Sequence, residues 1–336
     1  MRRDPGGVGI VPPVALLTSL PLADAQRLCR EFGLEVTAIE PLSAGSVNSN
    51  FALTDVAGRR YFARLYEEQG REGALAELKL VAALAKAGVP VVQCLPRADG
   101  AGVGDFAGKS FAIFPWLDGE ISCQGRVTVD ACQKLGAALA RVHLTTPLVA
   151  RPPEGRFRIV DLRERLVRVE ASGRAEFSAD VARIREAFSR YEAARATQDA
   201  PRGVIHSDLF RDNVLWTKQG ELAALLDFES ACEGAFAYDV MVTICAWCYS
   251  DKFETHLVEA FLRGYHAVRP IAPAEVAALK VEGAVGCLRF ATTRITDFSL
   301  RVAPGQTPVR DYRRFLARLS AIEAGDLDGC FQRALA

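Results

Sequence analysis

The stretch VIHSDLFRDNVLW (204–216) sets His206, Asp208, Asp212 and Asn213 between two short apolar runs, and a further run, LAALL, ends on Asp227, fourteen residues after Asn213. This arrangement constrains the fold more than any other feature of the chain. Apolar runs this short, broken by polar residues, read as strands joined by a tight loop. Asp227 then stands at the end of a buried strand. An unpaired carboxylate there would cost on the order of several kcal/mol, so it is expected to meet a cation.

Phosphoryl transfer from ATP supplies a reason for the whole set. One carboxylate must orient and deprotonate the attacking hydroxyl, and a hard oxygen ligand with a second carboxylate must hold Mg²⁺ on the phosphates. Asp208 suits the first task, Asn213 and Asp227 suit the second, and His206 is expected to pack beneath the loop. His-x-Asp-x₄-Asn followed by an Asp-Phe pair is the spacing of a kinase catalytic loop. Asp212 is left as turn chemistry.

The surrounding pattern divides the chain in two. Residues 21–32 read as a short amphipathic helix, and 36–42, 49–55 and 60–66 as three strands separated by turns at Ala44-Gly45-Ser46 and Ala57-Gly58. ALAELKLVAALAKAG (74–88) is an amphipathic helix ended by Gly88 and Pro90, and SFAIFPWL (110–117) is a further strand. Beyond residue 117 the pattern is mostly helical: a helix at 129–146, two within 161–198, and helices from about 236 to the end. The expected fold is α+β and two-lobed, with a β-rich lobe over 21–117 and a larger helical lobe over 118–336. Residues 1–20, interrupted by a Gly pair and Pro12-Pro13, read as a disordered leader.

Composition excludes some partners. Lys plus Arg and Asp plus Glu are 41 each, so bulk charge gives no case for nucleic acid or an anionic membrane. No apolar run is long enough to span a bilayer. The nine cysteines are an odd number and scattered. Cys245 and Cys248 have CxxC spacing but lie in an apolar stretch with no second pair, and read as buried small hydrophobes in a reducing cytoplasm.

Together, HSDLFRDNVLW, LLDFESA and AYDV resemble the aminoglycoside phosphotransferase and choline kinase superfamily, which has a protein-kinase-like fold. SAGSVNSNFAL, GVIHSDLFRDNVLW, AYDVMVTICAWCYS and LRFATTRITDF, in that order from about residue 30 to 320, further resemble the homoserine kinases built on this fold. The resemblance implies an ATP- and Mg²⁺-dependent kinase of a small alcohol, with L-homoserine, and so threonine biosynthesis, as the first expectation. It implies that Gly45, Ser46 and Asn48 in the SAGSVNSNF turn cover the phosphates. Arg64 stands at the superfamily's lysine position, with Glu77 to pair with it. AIFPWLDGE (112–120) corresponds to the adenine hinge, His143 to a prop near the catalytic loop, and Asp239 to an aspartate bracing that loop. Glu229 departs from the aromatic residue that many such homoserine kinases carry.

An amino-acid acceptor needs a cation for its carboxylate. Arg289 and Arg294 are the candidates, although five residues on a helix sets them roughly 140° apart. Trp247 and Tyr249 are expected to line an apolar wall. Two other readings stay open: a kinase of another small alcohol (a sugar, choline or an aminoglycoside), and a nucleotide-binding pseudokinase.

Overall fold

The computed structural model describes residues 18–42, 47–149, 152–304, 306 and 308–335. The chain forms two compact units. One comprises the residues up to Lys79 with Val92–Leu117, and the other Leu80–Val91 with Asp118 onwards.

The first unit is built on an antiparallel sheet of five strands: β1 (Val36–Leu42), β2 (Ser49–Asp55), β3 (Arg60–Leu65), β4 (Gly104–Phe106) and β5 (Lys109–Pro115), in the order β1-β2-β3-β5-β4. Asp55 closes the β2–β3 hairpin by accepting the backbone N–H groups of Ala57 and Arg59, both at 2.9 Å, around Gly58 at φ +78°. Helix α1 (Leu22–Arg30) places Ala25, Leu28 and Cys29 in the same core as Phe51, Leu53, Leu65, Phe111 and Ile113. The short β4 hairpin, absent from the sequence expectation, turns through Ala107 and Gly108, both at positive φ.

Ordered chain precedes residue 21. Leu20 is buried in this core, and Thr18 bonds to Ser49 and Glu67. Residues 18–20 of the expected leader are thus part of the first unit, and residues 1–17 lie outside the described residues.

Helix α2 (Arg71–Lys86) belongs to both units. Leu80, Val81, Leu84 and Val89 join the larger core, which is why 80–91 group with the second unit rather than with 21–117.

The second unit is mostly helical. Helix α3 (Val129–Leu144), capped by Thr128, packs on α7 (Thr255–Val268). Helices α4 (Ile159–Ala171) and α5 (Ser178–Ala196) pack against the long α8 (Pro273–Asp297), as do α6 (Phe236–Trp247) and α9 (Arg313–Ala324); α10 (Asp328–Leu335) packs on α7. Every residue of α6 is buried, so it reads as an uninterrupted apolar run with polar exceptions at Asp239 and Thr243. Two small antiparallel sheets carry the polar stretch of the sequence. Strand β7 (Arg202–Ile205) pairs with β10 (Cys232–Ala235), and β8 (Val214–Trp216) lies between β6 (Glu120–Ile121) and β9 (Leu222–Leu225).

Candidate active site

The loop from His206 to Asn213 leaves one small sheet at Ile205 and enters the other at Val214. Its shape is fixed by hydrogen bonds among its own residues. The Asp208 N–H donates to His206 Nδ1 at 3.3 Å, the Phe210 N–H to the Asp208 carbonyl at 2.8 Å, and the Asn213 N–H to the Phe210 carbonyl at 3.0 Å. His206 is fully buried, and its Nε2 donates to the Leu226 carbonyl at 3.0 Å. The Leu226 N–H in turn donates to the Asn213 carbonyl at 2.9 Å. One imidazole, with Nε2 protonated and Nδ1 accepting, thereby ties the loop to the residue before Asp227.

Asp208 is the carboxylate this loop presents, with its side chain 33% exposed. Its Oδ1 accepts from Arg289 Nη1 at 3.1 Å, and the Arg289 side chain is only 4% exposed. The guanidinium lies between two rings, 4.1 Å from the Phe157 centroid and 3.7 Å from that of Phe290. Desolvation by the surrounding protein raises the Asp208 carboxyl above the usual carboxylate range; Arg289 pulls it down and Asp227 pushes it up.

Asn213 donates from Nδ2 to the Asp208 carbonyl at 2.8 Å, which leaves Oδ1 as the end of the amide that can serve a cation. Asp227 follows β9 in the left-handed region, at φ 61° and ψ 72°. Ser207 shares that unusual backbone, with φ 68°. Two non-glycine residues at positive φ stand in the two connections that carry Asp208 and Asp227, and such strain persists where the surroundings over-determine it. Asp208, Asn213 and Asp227 thus come together in one loop system, as two carboxylates and an amide.

Residues 38–279 match the phosphotransferase enzyme family. The chain belongs to that family. It is 33% identical over 300 residues to a homoserine kinase of Methylorubrum populi, covering 87% of this chain and 92% of that one. A homoserine kinase of Brucella anthropi is 34% identical over 279 residues, 82% of this chain and 83% of its own. Among solved structures, a spectinomycin phosphotransferase in complex with ADP and spectinomycin matches with a TM-score of 0.68 at 13% identity, covering 92% of this chain and 99% of the other. A microcompartment-associated aminopropanol kinase matches with a TM-score of 0.65 at 20% identity, covering 94% and 99%. The fold is the protein-kinase-like one of these enzymes, and the protein transfers a phosphoryl group to an alcohol.

The loop of this phosphotransferase is braced from below. Asp239, fully buried at the start of α6, accepts the His206 N–H at 2.7 Å on Oδ2 and the Ser207 N–H at 2.8 Å on Oδ1. His143 Nε2 reaches the same Oδ2 at 3.0 Å, while Nδ1 meets the Tyr265 hydroxyl at 2.5 Å. Arg269 Nη1 donates to that hydroxyl at 3.2 Å and pairs with Glu275 at 2.7 Å. One protonation state satisfies the chain: Tyr265 donates to a neutral His143, which donates to an ionised Asp239. Burial pushes the His143 imidazole below its ordinary value. Burial alone would raise Asp239, but His143, His206 and the amides outweigh it and hold that carboxyl low. Tyr265 and Arg269 escaped the sequence reading, because a Tyr in an amphipathic helix carries no motif.

Arg64 pairs with Glu77 at 3.7 Å inside the first unit. The Asn48 Oδ1 accepts the Glu67 N–H at 3.1 Å, so that oxygen serves the hairpin itself. Gly45 and Ser46 lie outside the described residues. Trp247, expected on an acceptor wall, is fully buried, donates from Nε1 to the Leu209 carbonyl at 3.0 Å and packs on Trp216. A side chain with no exposed surface cannot touch an acceptor; Trp247 supports the 206–213 loop from the core. Tyr249 is 7% exposed, with Arg318 4.2 Å over its ring. Arg289 and Arg294 do diverge: Arg289 goes to Asp208, whereas Arg294 donates to the Asp311 carbonyl at 3.2 Å. Glu229, at the departure from the homoserine kinase pattern, is buried and paired with Arg156. Cys245 and Cys248 are both buried and unpaired.

Proposed function

We propose that this phosphotransferase moves the γ-phosphoryl group of ATP, with Mg²⁺, to the hydroxyl of L-homoserine. One observation carries the reading. A loop carboxylate poised beside two hard oxygen donors occurs in a chain one-third identical, over most of its length, to relatives called homoserine kinase.

The donor set suits the metal. Mg²⁺ takes one or two protein oxygens and completes its octahedron with water and phosphate. Asn213 Oδ1 and the Asp227 carboxylate are two such oxygens. When bound, the cation neutralises charge on the phosphates.

The chain's own residues do the rest. Asp208 accepts a hydrogen bond from the acceptor hydroxyl and takes its proton as the new oxygen–phosphorus bond forms and the bond to ADP breaks. Arg289 holds that carboxylate in one orientation, so little is lost to misalignment. His206 and Asp239 keep the loop from relaxing. In the first unit, Arg64, oriented by Glu77, is the phosphate contact. No helix among the described residues is long and apolar enough to cross a membrane. Nine unpaired cysteines suit the reducing cytoplasm in which we place the enzyme.

A coupled ADP-release assay over L-homoserine, choline, methylthioribose and kanamycin tests the reading. The highest kcat/KM is expected for L-homoserine, and Asp208→Asn should lower kcat by about 10²–10⁴-fold. A clear preference for another acceptor would overturn the substrate. Near-native turnover by Asp208→Asn would overturn the role of the base.

A further inference from the structure

Beside the catalytic loop the second unit gathers guanidinium groups without acids to match them. Arg294 leaves α8 with its carbon 4.5 Å from the Phe315 centroid, and Arg318 of α9 approaches the same ring at 4.9 Å. Arg314 stands one turn before Arg318, which donates to its carbonyl at 2.6 Å. Phe315 stacks on Phe290 at 4.9 Å, and Phe290 is the ring that carries Arg289 and hence Asp208. The cluster therefore adjoins the Arg289–Asp208 pair across two stacked rings.

What these arginines bind is revealing. Arg294 donates to the Asp311 carbonyl at 3.2 Å, and Arg318 from Nε to the Cys245 carbonyl at 2.8 Å. Neither pairs with a carboxylate, and nor does Arg314, among the described residues. Acids nearby are already engaged: Asp212 with Arg310 at 3.2 Å and Asp311 with Arg313 at 3.8 Å. Arg318 is only 6% exposed. Burial first, and then the neighbouring arginines, hold the Arg294 guanidinium down to about 9. Like charges kept together at a semi-buried site are unfavourable unless an anion arrives to separate them.

We propose that Arg294, Arg314 and Arg318 form the subsite that takes the carboxylate of the acceptor. The inference rests on the kinase reading above and deepens it with a site for the acceptor carboxylate, with Arg289 reserved for the base. A carboxylate fits the planar fork of a guanidinium, and a charged hydrogen bond of this kind is worth about 1.5–3 kcal/mol, or roughly 10–100-fold in affinity.

The test compares L-homoserine with 3-aminopropan-1-ol, which is the same alcohol without its carboxylate. In Arg294→Met and Arg314→Met the preference for L-homoserine, read as the ratio of kcat/KM values, should fall at least about tenfold, through KM. Arg314 is exposed, so its variant folds even if Arg294→Met is destabilised. Equal losses on both acceptors in both variants, or a rise confined to the KM for ATP, would overturn the subsite. A wild-type enzyme that ignores L-homoserine but phosphorylates another hydroxy acid, with the same dependence on Arg294, would overturn the homoserine reading and support the subsite. A wild-type enzyme that prefers uncharged alcohols would overturn both.

Discussion

Arg289 donates to Asp208 across 3.1 Å, with the cation enclosed between two phenylalanine rings and the carboxylate facing outward. The two partners therefore differ in what water can do to them. Asp208 remains one-third exposed, while the charge that pulls its carboxyl down against burial is shielded from solvent screening. Burial and Asp227 raise the Asp208 carboxyl, and Arg289 opposes them. Removing the cation must raise it further. In Arg289→Gln the acid limb of kcat/KM for the acceptor should consequently move to higher pH, by about one unit or more relative to wild type. A pH–rate profile at saturating ATP reads this directly. An unmoved limb with a uniformly lower plateau would mean that Arg289 orients the base without tuning it.

Arg64 lies in β3 with its side chain 13% exposed, and Glu77 is 3.7 Å away. If this pair presents a cation to the nucleotide, Arg64→Ala should raise the KM for ATP about tenfold or more, the worth of one charged hydrogen bond. Arg64→Lys should restore part of the loss, since lysine keeps the charge but not the fork. Steady-state kinetics with varied ATP decide the matter. An unaltered KM for ATP in Arg64→Ala would assign the pair to the stability of the first unit.

The elements legible in the sequence were those whose pattern is local. Strands β1, β2 and β3 alternate or run apolar between glycine turns, and α2 and α3 repeat at helical spacing, so their existence could be read directly. The loop from His206 to Asn213 was legible as a tight connection between two strands, because the apolar runs on either side of it are local too. Tertiary partners were not. Nothing local says that Arg289 meets Asp208 from 81 residues away. Trp247 looked like a pocket aromatic because its sequence neighbours are apolar, and only packing shows that it is sealed inside. The three-residue β4 is too short for alternation to appear.

A glycine pair fixes how closely two helices of the second unit approach. A Cβ on Gly136 of α3 would collide with the Phe261 carbonyl and stand 2.9 Å from the Tyr265 nitrogen. On the facing helix, a Cβ on Gly264 would strike the Gln133 carbonyl and stand 2.7 Å from its carbon. These obstacles are backbone atoms, which cannot rotate aside. Gly136→Ala should therefore force α3 from α7 and destabilise the protein by about 1–3 kcal/mol. Because α3 carries His143 and α7 carries Tyr265, the same change should weaken the brace on Asp239 and lower kcat more than KM. Denaturant unfolding alongside kinetics separates the two effects. Wild-type stability in Gly136→Ala would show that the helices can move apart without cost.

His143 is enclosed by Asp239 below, Tyr265 and Arg269 beside it, Glu275 beyond, and the Phe236 ring stacked at 4.5 Å. Burial holds its folded-state pKa below the ordinary value of about 6.5 that the unfolded chain regains. Below that pH the unfolded chain binds a proton that the folded protein refuses. The stability that depends on a neutral His143 is thus fully present above about pH 6.5 and is lost as pH falls toward the depressed folded value. Asp239, also held low, adds its own loss at more acidic pH, once the unfolded carboxylate begins to protonate. In His143→Gln the fall in unfolding free energy between about pH 6.5 and 5 should be shallower than in wild type, by up to one proton's worth of slope. Tyr265→Phe removes the hydroxyl that stabilises the neutral ring, so it should lower stability near pH 7 by about 1 kcal/mol and also soften the acid decline. Urea unfolding at a series of pH values measures both slopes. Parallel profiles for wild type and His143→Gln would show that the buried imidazole accepts its proton inside the fold, and the single-tautomer brace beneath the catalytic loop would then have to be abandoned.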